Sequence, residues 1–115
     1  MRTVRTIAEL RSALEPFRTG STVGLVPTMG AFHDGHLSLF RAAREECDAV
    51  VVSLFVNPAQ FDSPEDLERY PRDEKRDARL AAEAGVDFVF CPSFAELYPP
   101  GFQTWVDVEE LSRPL

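Results

Sequence analysis

The run Ala49-Val50-Val51-Val52-Ser53-Leu54-Phe55 constrains the fold more than any other segment. Its β-branched residues favour an extended chain, and its lack of polar alternation marks a central strand buried on both faces. The flanking sequence supplies the covering layers, because apolar β-rich stretches alternate along the chain with helical patterns. That alternation predicts an α/β fold, a parallel sheet covered by helices on both faces. Thr6 and Glu9 form a T-x-x-E capping box, and Ile7, Leu10 and Leu14 recur on one side of the helix it opens. Residues 22–26 read as a strand and residues 35–46 as a helix with Leu37, Leu39, Phe40 and Ala43 on its apolar side. A long loop is expected over 57–72, with residues 63–66 able to start a short helical turn. A helix over 73–84, ended by Gly85, leads to a strand over 86–90. Past Pro92 the chain reads as irregular until a last strand over 104–108. No repeat, low-complexity tract or linker interrupts the pattern.

The 115 residues, 44% of them hydrophobic, suffice for one core and are short for two domains. Twelve basic against nineteen acidic residues give a formal charge of -7, which argues against a general attraction to nucleic acid. No apolar run is long enough to cross a bilayer, and the start Met1-Arg2-Thr3-Val4-Arg5 lacks the apolar stretch of a signal peptide, so a cytoplasmic location is expected. Cys47 and Cys91 lack metal-ligand spacing and sit beside apolar segments, where reduced, packed thiols are expected.

Between the strand at 22–26 and the helix after it lies Pro27-Thr28-Met29-Gly30-Ala31-Phe32-His33-Asp34-Gly35-His36. A helix starting near Gly35 would aim its unpaired N–H groups and positive dipole end into this loop, as a phosphate site requires. Gly30 and Gly35 are expected to permit positive φ and close backbone approach. His33 and His36 could face one anion together, hydrogen-bonding it when neutral and adding charge when protonated. A satisfied histidine at a tight turn is the ordinary explanation for one imidazole; a pair at a strand-to-helix junction favours a ligand. Asn57 precedes Pro58, so its backbone should be extended, and Gln60 adds a second amide able to donate and accept. These two face either a ligand or the backbone of their own turn.

The pattern H-x-G-H after a strand resembles the signature of the HIGH-type nucleotidyltransferase superfamily. The longer run from Val26 to Leu37, with Phe55-Val56-Asn57-Pro58-Ala59-Gln60-Phe61 and then Asp66-Leu67 and Tyr70-Pro71-Arg72, resembles the pantothenate synthetase (pantoate:β-alanine ligase) family within it. The resemblance implies a Rossmann-like sheet and a two-step ligation through a pantoyl adenylate, with ATP, pantoate and β-alanine as substrates and Mg2+ as the metal. By the same resemblance His33 and His36 would be catalytic, and Pro27, Thr28, Met29, Gly30 and Gly35 would line the ATP site with them. Met29, Asn57, Gln60 and Tyr70 would meet pantoate, Tyr70 from a covering segment. Asp77 matches an acidic residue near the metal and triphosphate, although Glu74, Lys75 and Arg76 depart from the commoner pattern; otherwise the charge run at 73–79 reads as a solvated helix face. A homodimer is implied for the full-length parent.

The family's sequence continues past residue 115 through a basic loop, a KMSKS-like loop and a small C-terminal domain. The only lysine here is Lys75. The expectation is therefore an N-terminal Rossmann-like nucleotide-binding domain over 1–115, incomplete at its C-terminus. Three functions are consistent with it: a truncated member of the family, a HIGH-type nucleotidyltransferase of another specificity, or the non-catalytic half of a split enzyme.

Overall fold

The computed structural model describes residues 1–99, so the strand expected over 104–108 lies outside the described residues. Four strands, β1 (Arg2–Val4), β2 (Val23–Thr28), β3 (Ala49–Leu54) and β4 (Phe88–Phe90), form one sheet in the order β1-β4-β3-β2. Every pairing in it is parallel. Among the described residues four α-helices connect them, α1 (Ile7–Leu14), α2 (Asp34–Glu46), α3 (Pro64–Arg69) and α4 (Glu74–Glu83), and a fifth, α5 (Phe94–Leu97), follows β4.

The β3 run behaves as its composition requires. Val50, Val51 and Val52 are all buried to within 1% exposure, although they point alternately to opposite faces. On one face Val26, Val52 and Val89 stand side by side across three strands, and with Val50 they pack under Phe32, Phe40, Ala81 and Ala84 from the α2 and α4 side. On the other face Val4, Val51 and Phe90 meet Ile7, Leu10, Leu14 and Leu97 of α1 and α5. The helices therefore cover both faces, as expected. The cover stops short of β2, whose Leu25 remains 62% exposed.

The helix starts follow their capping residues. Thr6 accepts the N–H of Glu9, Ser63 that of Asp66, Asp73 that of Arg76 and Ser93 that of Glu96. Gly85, at φ 89°, ends α4 in the left-handed conformation that a C-terminal glycine supplies.

Three expectations need correction, and one strand is additional to them. β2 runs on to Thr28, carrying Pro27 inside the strand, which its place at the edge of the described sheet tolerates. β4 begins only at Phe88, because Val86 N–H donates back to the Ala81 carbonyl and Asp87 N–H to the Val50 carbonyl before regular pairing starts. β1 was not anticipated, since three residues are too few to show a period. Past Pro92 the chain is not irregular at once: Ser93 caps the single turn of α5.

Candidate active site

Because all pairings are parallel, the loop after β2 and the loop after β3 leave the same edge of the sheet, at the carboxyl ends of its strands. Open α/β sheets bind ligands at that edge. The first loop is anchored by Phe32, 1% exposed, whose ring meets Phe40 edge-on at 5.0 Å. It turns through two left-handed residues, Gly30 at φ 87° and Ala31 at φ 56°.

Two successive amides of this turn do not face outward. Ala31 N–H and Phe32 N–H each donate to a different oxygen of Asp77, both at 2.9 Å. Arg76 beside it donates to the Phe32 carbonyl at 3.1 Å. The first turn of α4 thus grips both the donors and an acceptor of the loop. Asp77 is 1% exposed, and borders a small cavity of about 140 Å3 that Met29, Gly30 and Arg72 also line.

Gly30 therefore approaches protein: an added Cβ would lie 3.1 Å from the Asp77 carboxylate and 3.3 Å from Leu54. Gly35 does not take positive φ, contrary to expectation. It sits in the first turn of α2, where a Cβ would meet the His33 ring at 2.9 Å, so the glycine makes room for the imidazole.

The two histidines form a capping box at the start of α2. His33 Nδ1 accepts Gly35 N–H at 3.0 Å, and His36 Nδ1 accepts His33 N–H at 3.1 Å. Their ring centres are 4.1 Å apart. A neutral imidazole that accepts through Nδ1 carries its proton on Nε2, so each ring offers one N–H donor away from the backbone. Partial burial pushes the His36 pKa below its usual value, the adjacent His33 adds to that, and Asp77 opposes it. Burial and the bond that His36 accepts from His33 N–H together favour its neutral form.

The second loop carries Asn57 and Gln60 on a single 3-10 turn, Pro58–Gln60. Asn57 Oδ1 accepts Ala59 N–H at 3.1 Å, so part of this side chain serves its own turn. Both residues nevertheless line a cavity of about 560 Å3 together with Pro27, Thr28 and Met29. Leu10, Leu25 and Phe90 give the same cavity an apolar wall. Thr28 contributes through its methyl side, because its hydroxyl donates to the Ser53 carbonyl at 2.9 Å and accepts Gly30 N–H at 3.3 Å.

The cavity brings together five of the residues singled out from the sequence. His33 and His36 are not among its lining residues; in the chain they follow the turn that Asp77 holds. Tyr70 does not line it either, and packs edge-on against Phe61 at 5.6 Å. Among the described residues no three His, Cys, Asp or Glu side chains come together as a metal cluster. Sequence reading missed the bracing role of Asp77 and Arg76. The available signal was helical spacing, since Asp77 precedes buried Ala81 by one turn and so shares its inward side.

A sequence model of the pantoate-beta-alanine ligase family matches residues 2–115. A pantothenate synthetase of Cereibacter sphaeroides is 57% identical over 113 residues, covering 97% of this chain and 40% of that protein. One from Heliobacterium modesticaldum is 55% identical over 116 residues, covering all of this chain and 41% of its own length. Among solved structures, pantothenate synthetase from Thermus thermophilus superposes with a TM-score of 0.85 at 56% identity, over 94% of this chain and 38% of that one. Pantoate-beta-alanine ligase from Francisella tularensis, complexed with beta-gamma ATP and beta-alanine, gives a TM-score of 0.87 at 38% identity, over 93% of this chain and 41% of that one. The chain thus spans about two-fifths of the length of the relatives it matches.

Proposed function

Since the chain belongs to the pantoate-beta-alanine ligase family, we propose that it forms the nucleotide- and pantoate-binding part of an ATP-dependent ligase that makes pantothenate. In the first step a pantoate carboxylate oxygen attacks the α-phosphorus of ATP, the bond to pyrophosphate breaks, and pantoyl adenylate forms. In the second the β-alanine amine attacks the activated carbonyl, AMP leaves, and the amide of pantothenate remains after loss of a proton.

The observation that carries this reading is the histidine capping box at the end of the loop whose first residues, Pro27, Thr28 and Met29, line a cavity with Asn57 and Gln60. Two Nε2–H groups and the amino end of α2 supply donors for phosphoryl oxygens, and their fixed placement favours the charge that develops during attack. That cavity has an apolar wall for the methyl groups of pantoate and two amides for its hydroxyl and carboxylate groups. Attack at phosphorus then depends chiefly on in-line placement. Pro27, Thr28, Met29 and Gly30 form the floor between the two ligands, and Tyr70 belongs to a segment that covers them. No covalent enzyme intermediate is required.

Mg2+ does not fit these residues as a protein-held ion. Asp77, the carboxylate matched to that role, already accepts two backbone amides and is 1% exposed. Mg2+ commonly takes most of its shell from phosphates and water, and would arrive with the triphosphate as part of the substrate. The cytoplasm, where ATP is plentiful, and a homodimer of the whole protein complete the reading; no helix among the described residues is long and apolar enough to cross a membrane.

The test is to incubate the chain with ATP and pantoate, measure pyrophosphate, and then add β-alanine. Pyrophosphate that needs both substrates, falls with His36→Ala and is followed by pantothenate supports the proposal. If turnover is absent, saturable binding of ATP and of pantoate to the chain still supports it; absence of both binding and turnover overturns it.

A further inference from the structure

The geometry points to Asp77 as a positioning residue that holds the histidine pair in its donor arrangement, acting through the backbone of Ala31 and Phe32 rather than by touching a ligand or a metal. The inference deepens the ligase reading and rests on it only for the identity of the ligand.

Two successive amides in a turn, here one that runs through left-handed Gly30 and Ala31, form a concave site that ordinarily attracts an anion. Here the anion is internal: the Asp77 oxygens fill the site at 2.9 Å from each amide. The turn that Asp77 fixes ends at Phe32, and the next residue is His33, whose own N–H enters the capping box with His36. Ala31, a residue with a Cβ, is held at φ 56°, a conformation it would leave without compensation. Asp77 supplies that compensation, and Arg76 closes the grip on the Phe32 carbonyl. Release of the two amides frees the turn, and with it the direction of His33 N–H and the stacking of the two rings 4.1 Å apart. Asp77 thereby sets where both Nε2–H donors point while remaining out of contact with what they bind.

The experiment compares the 115-residue chain with Asp77→Asn, Arg76→Ala and Asp87→Asn. Asp87 is a useful control, because it also pairs with an arginine and accepts a backbone amide, from Val50, but at the opposite edge of the sheet. Long-range 1H–15N spectra of the imidazoles report the tautomers, and calorimetric titration with ATP alone reports affinity. We expect one Nε2–H tautomer for each ring in the unaltered chain and in Asp87→Asn, and a mixture of tautomers in Asp77→Asn. ATP affinity should fall by about tenfold in Asp77→Asn, the loss of about one well-placed hydrogen bond to a charged oxygen, and stay within about twofold in Asp87→Asn. Should Asp77→Asn fail to fold, Arg76→Ala removes only one bond to the loop from an exposed side chain, and should move the same signals in the same direction. Histidine spectra unchanged by loss of the grip would overturn the proposal, as would equal changes in Asp77→Asn and Asp87→Asn. If the unaltered chain binds no ATP while the spectra respond to Asp77→Asn, the positioning role stands and the ligase reading falls.

Discussion

Arg44 near the end of α2 and Asp87 ahead of β4 form an ion pair that ties three segments of chain together at the amino edge of the sheet. Asp87 also accepts Val50 N–H at 2.8 Å, and Arg44 donates to the carbonyls of Gly85, Cys47 and Asp48. Both side chains are about one-third exposed, which weakens the ionic part but leaves the carbonyl bonds. Arg44→Ala should therefore lower stability by about 1–3 kcal/mol, read as a lower urea midpoint at unchanged slope. A midpoint equal to that of the unaltered chain would mean water replaces the guanidinium without cost.

Acid should weaken the capping box. Burial holds the His36 pKa below its usual value, so the unfolded chain takes up a proton first as pH falls. Stability from this source is fully present above the unfolded value of about 6.5 and is lost as pH drops through the lowered folded value. Protonation also removes the Nδ1 lone pair that accepts His33 N–H. The urea midpoint of the chain should fall between pH 7 and the His36 pKa more steeply than that of His36→Gln. Parallel slopes would place the proton uptake elsewhere.

How far the fold and site were legible follows from what each residue must do alone. Val50, Val51 and Val52 are buried by their own composition, and a three-valine run announces a doubly covered strand. Ser63, Asp73 and Gly85 act within one turn of their own position, so their helix boundaries could be read locally. The placement of His33 and His36 at a helix start was legible for the same reason, because the box closes over three residues. β1 and the grip of Asp77 were not, since Arg2 to Val4 becomes a strand only by pairing with β4, and Asp77 meets amides 45 and 46 positions away. Gly35 shows the intermediate case: its smallness was visible, but the reason, the His33 ring folded over it, required the capping geometry.

Cys91 should resist alkylation in the folded chain. Burial, reinforced by the nearby Glu74 carboxylate, pushes its thiol up to about 12, which leaves only about one molecule in ten thousand as thiolate at pH 8. Iodoacetamide at pH 8 should therefore modify Cys91 only when urea unfolds the chain, with mass spectra of peptides reporting the site. Modification in native buffer as fast as in urea would show that the end of β4 opens without global unfolding.

Gly30→Ala and Gly20→Ala together separate backbone strain from packing against the brace. Both glycines lie at positive φ, 87° and 75°, so each alanine meets a left-handed penalty of roughly 1–2 kcal/mol. At Gly20 nothing lies within 4 Å of the new methyl, and the loss should stop there. At Gly30 the methyl would also stand 3.1 Å from Asp77 and 3.3 Å from Leu54, tighter than either can accept in place. Leu54 can rotate, but Asp77 cannot withdraw without stretching its bonds to Ala31 and Phe32. Gly30→Ala should accordingly cost about 1–3 kcal/mol more than Gly20→Ala in urea denaturation, and part of that cost should vanish when Asp77→Asn has already loosened the turn. Such non-additivity is the mark of two residues that share one contact. Additive losses would place the cost of the methyl on Leu54 alone.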